Sequence, residues 1–575
     1  MARASASGRW SRWPGRWPAD AVETLETDVL IVGAGAAGLY AAAQAAAVGL
    51  GVVVVEASEL LGGSTAADTG QLWLPGTEHG AKFGGPDRPA DIRAHLDAIL
   101  GAPSAASSAA RRDAFAETSA AVGAWLDAHQ VGLGVVRGKP DFHPEAPQAR
   151  RSGRVVAAAP FDKKLLGPLA DRLRGSDYAL EIMPRSPRGL VAAASALGHR
   201  LLNPTKDVVL GGAALSGRLL LEATRLGAKV WPSTQLTGLV SRDGRVTGAE
   251  VLREGRPLQV QAHGGVILAC GGFEGNADWR REHLPLPTDA SWTTGLATNT
   301  GAGMRAAVAV GGRLVEMGEA WWTVVARFDD VTYRMTSERS LPHGIIVDRA
   351  GDRFFDEAGP APEAGRALYA RNRRVRAIPA YLILDHRHRQ RYRLGPWLPG
   401  STPRADADGV VKATSLAELA TELKIDQAGL LGTVVRFNGL AAKGRDSDFG
   451  RGASIVDRSQ GDPTSRRNPC LGTLEKSPYW AVPVYPGDSG TKGGLLTDAD
   501  ARVLDAEGRP LPGLYAVAGT AASLFVGTSP GVGAALASAL VDAHRAVAQL
   551  AASDEHADAG QRRNPGGRGG SIGLG

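Results

Sequence analysis

The hydrophobic pattern near the start of the chain predicts a strand, a helix and a second strand in close succession. Residues 28–32 form a mostly apolar run, residues 39–48 are rich in alanine, and residues 52–55 are four consecutive valines. Short apolar runs are typical of strands that are buried on both faces of a parallel sheet, while the longer alanine-rich stretch favours a helix. The pattern therefore indicates a β-α-β unit.

Three glycines follow the first predicted strand at the spacing of a dinucleotide-binding turn. In such a turn Gly33 makes the tight bend, Gly35 lets backbone amides approach a pyrophosphate, and Gly38 lets the helix lie close to the strand. The free N–H groups at the start of the helix, at Ala36 and Ala37, would then face phosphate, which the helix dipole also attracts. The alternative is a glycine-rich turn of an ordinary β-α-β unit that binds no ligand.

The residues after the second strand favour FAD among the dinucleotides. Glu56 ends that strand, where a carboxylate can accept hydrogen bonds from an adenosine ribose. Gly63, Ser64 and Thr65 follow, with small side chains and hydroxyls where a flavin's pyrophosphate and ribityl chain would run. A late glycine-rich strand, residues 512–520, is typical of flavin folds, in which the last strand returns to the cofactor. The sequence therefore predicts a permanently bound FAD.

Six further motifs occur in a fixed order along the chain. They are residues 62–65 (GGST), 267–274 (ILACGGFE), 299–301 (NTG), 337–339 (SER), 486–494 (PGDSGTKGG) and 530–533 (PGVG). With these motifs the chain resembles the 3-ketosteroid 1-dehydrogenases, a branch of the fumarate-reductase-like flavoproteins, from about residue 27 to residue 550. The resemblance implies an enzyme that removes a proton next to a ketone and passes hydride from the adjacent carbon to FAD.

The resemblance also implies cofactor contacts later in the chain. It places Gly271, Gly493, Gly519, Gly531 and Val532 beside the flavin.

The chain departs from the family at two of its catalytic tyrosines. In the family, a tyrosine base takes the proton, while a second tyrosine hydroxyl and a glycine amide hold the ketone oxygen as the enolate develops. Here Ser529 precedes the late Pro-Gly run, and Phe142 and His143 replace a Tyr-Tyr pair. We therefore expect the Gly533 amide and the Ser529 hydroxyl to hold the ketone and Tyr333 to act as the base. His143 is the alternative base, because an imidazole titrates near neutrality.

Three functions remain open at this stage. The leading one is desaturation of a cyclic ketone, steroid-like or smaller; the others are reduction of an activated C=C bond and flavin binding without catalysis. A dicarboxylate substrate is disfavoured, because Arg339 and His343 are the only closely grouped residues that could clamp one. Glu338 and Arg339 are expected to form a structural pair, and Trp321 and Trp322 an apolar wall.

The length of 575 residues is too great for one compact core. We predict an α/β fold in which a Rossmann-like FAD-binding domain, built from discontinuous segments, encloses an inserted α+β cap domain that binds the substrate. The predicted bounds are 24–272 and 483–552 for the FAD-binding domain (with a helical excursion at about 110–210), 273–482 for the cap, and 1–23 and 553–575 for disordered tails.

The charge and the cysteine content indicate which partners and which cell compartment to expect. The formal net charge of +6 is concentrated partly in the tails and no nucleic-acid motif accompanies it, so we expect no nucleic-acid partner. Cys270 and Cys470 cannot make a disulfide framework, which favours a cytoplasmic protein. We expect no membrane span, because the sequence shows no apolar run of sufficient length, but it is compatible with peripheral association with a membrane. No metal site is expected, and a quinone-like acceptor or oxygen is expected to reoxidise the flavin, because no second nicotinamide fingerprint is present.

Overall fold

The computed structural model describes residues 23–175, 207–401 and 409–562. The tail predicted at 1–23 therefore lies, except for residue 23, outside the described residues, as does part of the predicted helical excursion. The chain is helical up to Arg562, so the final helix extends beyond residue 552, where the second disordered tail was expected to begin.

The described strands are short at the edges of the sheets and long at their centres. They are β1 (Glu23–Val32), β2 (Val52–Val55), β3 (Leu72–Trp73), β4 (Leu133–Val135), β5 (Val155–Ala158), β6 (Phe161–Asp162), β7 (Val208–Val209), β8 (Lys229–Trp231), β9 (Thr234–Arg242), β10 (Arg245–Arg253), β11 (Arg256–Leu268), β12 (Leu314–Val315), β13 (Ala320–Phe328), β14 (Val331–Arg334), β15 (Gly344–Val347), β16 (Ala380–Leu384), β17 (Val411–Ala413), β18 (Tyr479–Thr491), β19 (Gly494–Leu495), β20 (Arg502–Leu504) and β21 (Pro510–Ala516).

The described helices are α1 (Ala36–Ala47), α2 (Gly63–Ala66), α3 (Glu78–Gly84), α4 (Pro89–Leu100), α5 (Ala109–Ala128), α6 (Gly211–Arg225), α7 (Ala277–His283), α8 (Ala302–Val308), α9 (Ala361–Asn372), α10 (His386–Arg391), α11 (Leu416–Leu423), α12 (Gln427–Lys443), α13 (Ile455–Gln460) and α14 (Ala534–Arg562). Three 3₁₀ segments cover Lys163–Arg172, Ala290–Trp292 and Ala518–Thr520. No helix in these described ranges is long and apolar enough to span a membrane.

The first sheet is assembled from three separate segments of the chain. Its parallel strands follow the order β21-β11-β1-β2-β8, β20 adds to β21, and the β9–β10 hairpin pairs with β11. These strands come from residues 23–55, 229–268 and 502–516. The predicted Rossmann-like fold with discontinuous segments is therefore confirmed.

The last four residues of strand β1, Val29–Val32, are all apolar because both faces of the strand are covered there. Val29 and Ile31 pack into the core that contains α1, α6 and α14, whereas Leu30 and Val32 pack into the core on the opposite face. Successive side chains of a strand point to opposite faces, so a strand between two cores needs an apolar residue at every position.

The Asp243-Gly244 pair, which is typical of a hairpin turn, joins β9 to β10. Both turn residues have positive φ, 50° and 74°, as a two-residue hairpin turn requires. Val240 does not pair with Val246, as a short turn alone would suggest: Val240 lies opposite Gly248, and Val246 opposite Ser241, because a bulge shifts the register between them.

The second sheet is antiparallel and lies in the predicted cap region. Its order is β14-β13-β18-β16-β15, and β17 also pairs with β18. Helix α9 packs on β13 and β18, and α11 packs on β17 and β18. The boundary predicted at residue 482 lies inside β18, which continues in this sheet to Thr491.

A buried ionic cluster holds the cap together around Glu357. Its carboxylate accepts two hydrogen bonds from Arg353, at 2.8 and 2.6 Å, and lies 3.3 Å from the Arg451 guanidinium. Arg353 also donates to Asp446 at 2.8 Å. Glu357 is fully buried, so its charge is compensated by these guanidinium groups and by the Ile346 N–H, which donates to it at 3.2 Å.

We predict that Glu357→Gln destabilises the protein by about 3–5 kcal/mol, because it leaves two buried guanidinium groups with too little negative charge. Glu422→Gln, at an exposed position of α11, is the matched control and should change stability by less than about 0.5 kcal/mol. Thermal and denaturant unfolding of both variants checks this. Equal stability of the two variants would show that the cluster does not support the cap.

Candidate functional site

A cavity of about 2060 Å³ opens where the parallel strands of the first sheet end. Val32, Val55 and Ala269, at or next to the carboxyl ends of β1, β2 and β11, form one wall. Trp321 and Arg334, on β13 and β14 of the second sheet, form part of the opposite wall. Ligands of open α/β sheets bind beyond the carboxyl ends of the strands, so this is the expected place for a site.

Most of the residues predicted to contact the cofactor line this cavity. They are Gly33, Gly35, Ala36, Ala37, Glu56, Gly63, Ser64, Thr65, Gly271, Gly519, Gly531 and Val532. Gly38 and Gly493 are not in the lining. A Cβ atom at Gly38 would lie 2.0 Å from the Gly33 carbonyl oxygen, and one at Gly493 would lie 2.4 Å from the Met317 Cα, so both glycines permit close backbone packing instead.

The glycine turn leaves an open space at the N-terminus of α1. Gly33 has a φ of +112°, and a Cβ there would lie 2.4 Å from the Ala269 carbonyl oxygen. A Cβ at Gly35, in contrast, would meet no atom within 4 Å. Gly62 donates from its backbone to Ala34 at 2.9 Å, which brings the second glycine loop against the first. The arrangement fits a pyrophosphate held by the backbone amides of the helix start.

Glu56 is fixed by the backbone of the same turn. One of its carboxylate oxygens accepts from the Ala34 N–H at 2.8 Å, and the other accepts from the Ser58 N–H at 2.9 Å. Burial raises the pKa of Glu56, and these hydrogen bonds partly oppose that effect. Each oxygen keeps a further lone pair, so the carboxylate can also accept from ribose hydroxyls.

A polar network connects Ser64 with the second sheet through residues that the sequence analysis did not assign to the site. The Asn299 amide donates to Ser64 at 3.0 Å and also to Glu274, whose other carboxylate oxygen faces the Thr491 N–H. Ser64, Asn299, Glu274 and Thr491 all line the cavity. Asn299 and Glu274 belong to motifs that carry the family resemblance, and that was the only signal in the sequence that could have identified them.

Glu274 stands out electrostatically within this network. Burial raises its pKa to about 7, and the nearby Asp488 adds to the effect, although the Asn299 hydrogen bond opposes it. Asp488 is itself paired with Arg280 at 2.7 Å, and both side chains are fully buried. A carboxyl group that titrates near neutrality in the cavity wall can hold or release a proton there.

Two loops from distant parts of the chain meet on one side of the cavity. The Phe142 N–H donates to the Pro530 carbonyl at 2.9 Å, and the His143 ring nitrogen Nε2 lies 2.7 Å from the Thr528 hydroxyl. Trp73 lies beneath them, because a Cβ at Gly531 would be 2.5 Å from its ring. The motifs that replace the family's tyrosines are therefore adjacent in space.

Ser529 and Gly533 both line the cavity on this side. The Ser529 hydroxyl donates to the Gly531 carbonyl at 3.0 Å, so its proton is already used within the loop. Gly533 has a φ of +87°, and a Cβ would lie 2.2 Å from the Gln71 carbonyl oxygen. In the described part of the chain no acceptor faces the Gly533 N–H, which precedes the first residue of the long helix α14.

The two predicted bases do not line the cavity. Tyr333 lies on β14 opposite Ala326 with its ring 5.7 Å from Phe328, and it packs against the hydrophobic core of the second sheet. Its neighbour Arg334 faces the cavity instead, because adjacent strand residues point to opposite sides. His143 is hydrogen-bonded to Thr528, and its chain neighbour Phe142 lines the cavity. None of the tyrosines in the described ranges lines the cavity.

Two ion pairs occupy the wall near the second sheet. Arg334 donates to both carboxylate oxygens of Asp68, at 3.0 and 2.9 Å, and thereby joins the second sheet to the loop after α2. Burial raises the pKa of Asp68, but Arg334 more than offsets this and holds it below its usual range. Glu338 lies 3.7 Å from Arg393.

The expected pairing of Glu338 with Arg339 is not seen. Arg339 is fully buried and donates to the backbone carbonyls of Glu357 and Gly359, while burial lowers its pKa to about 10. His343 lies 2.8 Å from the Thr473 carbonyl through Nδ1. Neither Arg339 nor His343 lines the cavity, so the two residues do not form a clamp for a dicarboxylate.

Comparisons with known proteins agree with the geometry of this site. Residues 28–536 match the family described as FAD binding domain. The chain is 35% identical to the 3-oxosteroid 1-dehydrogenase of Mycobacterium tuberculosis over 557 residues, which cover 92% of this chain and 98% of the relative. It is 33% identical to the 4-oxocyclohex-2-ene-1-carboxylate 5-dehydrogenase of Sinomonas cyclohexanicum, with coverage of 93% and 96%.

A solved structure gives the same result. The crystal structure of 3-ketosteroid Δ1-dehydrogenase from Sterolibacterium denitrificans, in complex with 1,4-androstadiene-3,17-dione, superposes with a TM-score of 0.86 at 33% identity. The match covers 92% of this chain and all of the other. The cofactor of this fold is FAD, and the turn, Glu56 and the polar network described above fit it.

We predict that valine substitutions at Gly35 and Gly38 affect different properties, FAD binding in the first case and stability of the apoprotein in the second. Gly35→Val should leave the unfolding temperature of the apoprotein nearly unchanged, because its Cβ meets open space, but should abolish FAD binding and the added stability that FAD gives. Gly38→Val should destabilise the apoprotein itself. Visible absorbance after purification and melting with and without FAD check both. A yellow Gly35→Val protein would contradict the assignment of this loop.

We also predict a pH-dependent stability difference for Glu274→Gln. In the apoprotein the pKa is raised from 4.5 to about 7, so folded Glu274 keeps its proton where the unfolded chain has lost it. Stability therefore falls as pH rises through this window, by at most about 3 kcal/mol. Glutamine does not titrate, so the variant should gain on the native protein between pH 4.5 and 7.

Melting curves of the apoproteins across this range provide the measurement. Glu282→Gln is the control, since Glu282 also lines the cavity but is exposed. A stability difference between Glu274→Gln and the native protein that does not change with pH would contradict the prediction.

Proposed function

Since this chain belongs to the FAD-binding-domain family and is homologous to the 3-oxosteroid 1-dehydrogenases, we propose that it is an FAD-dependent dehydrogenase that introduces a C=C bond next to a cyclic ketone. One observation carries the proposal. A single cavity extends from the glycine turn, where the cofactor is anchored, to the space between Trp321 and the Gly533 amide. A substrate in that space lies within the same cavity as the cofactor and next to a hydrogen-bond donor.

The chemistry requires that a carbon next to the ketone lose a proton while the adjacent carbon loses hydride. When bound, FAD supplies the hydride acceptor. A ketone's α-carbon is too weak an acid to ionise at neutral pH unless hydrogen bonds stabilise the developing enolate oxygen. The residues of the chain must therefore supply a donor to the ketone oxygen and an acceptor for the proton.

We assign the donor to Gly533. Its N–H lies at the start of α14, where the unpaired amides and the helix dipole favour negative charge. Ser529 supports this donor indirectly, because its hydroxyl bonds to Gly531 and shapes the loop. To donate to the ketone the hydroxyl would have to turn, or a water molecule would have to bridge the gap.

Tyr333 and His143 are the two proposed proton acceptors. Tyr333 precedes the cavity-lining Arg334, and His143 is hydrogen-bonded to Thr528, which precedes the cavity-lining Ser529. Each is thus next in sequence to a residue that lines the cavity, Arg334 for Tyr333 and Phe142 for His143. The substitutions described below distinguish the two.

The substrate proposed is a cyclic ketone of steroid or smaller alicyclic type. The aromatic rings of Phe142 and Trp321 provide flat apolar contact surface, while the Arg334–Asp68 and Glu338–Arg393 pairs make other parts of the wall polar. For reoxidation we propose a quinone-like acceptor or oxygen. The two cysteines, both free in the structure, favour a cytoplasmic location.

The proposal predicts that a cyclic ketone reduces the bound flavin without another donor. Androst-4-ene-3,17-dione, cyclohexanone and 4-oxocyclohexanecarboxylate are each added anaerobically, and bleaching of the flavin absorbance is followed. Acid precipitation of the same protein should release FAD into the supernatant. Failure of all three ketones, in a protein whose flavin is reduced by dithionite, would reject the function.

Three substitutions then test the roles. Loss of a ketone donor typically lowers turnover by about a hundred- to a thousandfold, so Ser529→Ala should cost much less than this if Gly533 is the main donor. Tyr333→Phe should remove nearly all flavin reduction, with FAD content unchanged, if Tyr333 is the base. If Tyr333→Phe is fully active and His143→Ala is not, the base is His143.

A further inference from the structure

Lys492 is a buried cation that the proposed chemistry does not use. It lies between β18 and β19, with only 1% of its surface exposed, and it does not line the cavity. Its Nζ donates to the carbonyl oxygens of Phe525 and Thr528, at 2.7 and 2.6 Å. The same Nζ lies 4.3 Å from the centre of the Trp321 ring.

These contacts join the two walls between which the substrate is proposed to bind. Trp321 belongs to β13 of the second sheet, whereas Phe525 and Thr528 begin the loop that carries Ser529 and ends at Gly533. We propose that Lys492 is a positioning residue, whose ammonium group clamps Trp321 to this loop and so sets the width of the substrate space. The clamp itself is independent of the reaction, but its effect on ketone binding rests on the proposed function.

The protonation state of Lys492 affects the clamp because it sets the number of N–H donors on the side chain. An ammonium has three N–H bonds: two serve the carbonyl oxygens and the third faces the indole, where the positive charge is attracted to the ring. A neutral amine has two N–H bonds and one lone pair. It can keep both carbonyl contacts, but it then turns the lone pair towards the electron-rich ring face. Deprotonation therefore releases Trp321 while the loop stays bonded.

The surroundings place this change near neutral pH. Burial and the nearby Arg366 together lower the pKa of Lys492 to about 7, against the opposing effect of Glu319 and Glu363. Arg366 bridges Glu319 to the Gly527 carbonyl, and the Thr528 hydroxyl contacts both His143 and Glu363. These are the charged and titratable groups that face the clamp.

The first measurement is the fluorescence of Trp321 in the FAD-loaded protein. Subtracting the emission of Trp321→Phe from that of the native protein isolates this residue, and the difference is titrated from about pH 5.5 to 9. We expect one transition near pH 7, which is absent in Lys492→Met and in Lys492→Arg, since an arginine stays charged throughout. Lys443→Met, exposed on α12, is the control and should retain it.

The second measurement is the ketone concentration that gives half-maximal flavin reduction. It should rise about three- to tenfold from pH 6 to pH 8 in the native protein, as expected for loss of a partly buried cation–π contact. The limiting rate should change less. In Lys492→Arg this dependence on Lys492 should vanish, and any transition that remains belongs to another group, of which Glu274 is the first candidate.

The outcomes separate the clamp from the function. A Trp321 signal without a transition near pH 7, or one that persists in Lys492→Met, overturns the clamp. If neither Lys492 variant folds, the native titration is compared with that of Glu274→Gln, and a transition that is lost in Glu274→Gln overturns the clamp. If the fluorescence transition is seen but no ketone reduces the flavin, the clamp stands and the proposed function fails.

Discussion

The site depends on backbone segments that approach one another more closely than a side chain would allow. At Gly33, Gly38 and Gly63 a Cβ atom would lie less than 3 Å from the backbone of a neighbouring loop or strand. Gly519 plays the same part against Gly272, at 2.8 Å. These contacts hold α1 and the glycine loops at the ends of the parallel strands, and only in that arrangement do Glu56, Ser64 and the free amides face the same cavity.

Local spacing was sufficient to predict the anchor of the cofactor but not the place of the catalytic groups. A strand, three glycines, a helix and a terminal acid occur within 30 residues, so their geometry follows from regular secondary structure. The orientation of Tyr333, in contrast, does not follow from local spacing. Its distance from the SER motif was known, but the face of β14 on which it lies depends on pairing with β13, and a shift of one residue exchanges the two faces.

Contacts between residues far apart in the sequence could likewise not be predicted from the sequence. The sequence contains Ser64, Asn299 and Glu274 in three separate motifs, and nothing in their spacing indicates that they form one hydrogen-bonded chain. The final helix continues to Arg562, into the segment that was expected to be a disordered tail, because alanine-rich polar sequence is compatible with both helix and disorder. Hydrophobic periodicity predicts helices and strands, whereas the contacts between their residues depend on how these elements pack.

The discontinuous first sheet has a consequence for synthesis of the protein. Val266–Leu268 of β11 pairs with Leu514–Ala516 of β21, which is synthesised only after the whole second sheet. Until then this part of β11 has an unpaired apolar edge on that side, of the kind that recruits other strands. The growing chain therefore has to keep this edge protected while the whole second sheet is being made, and efficient production of the enzyme should depend on chaperones that bind exposed strands.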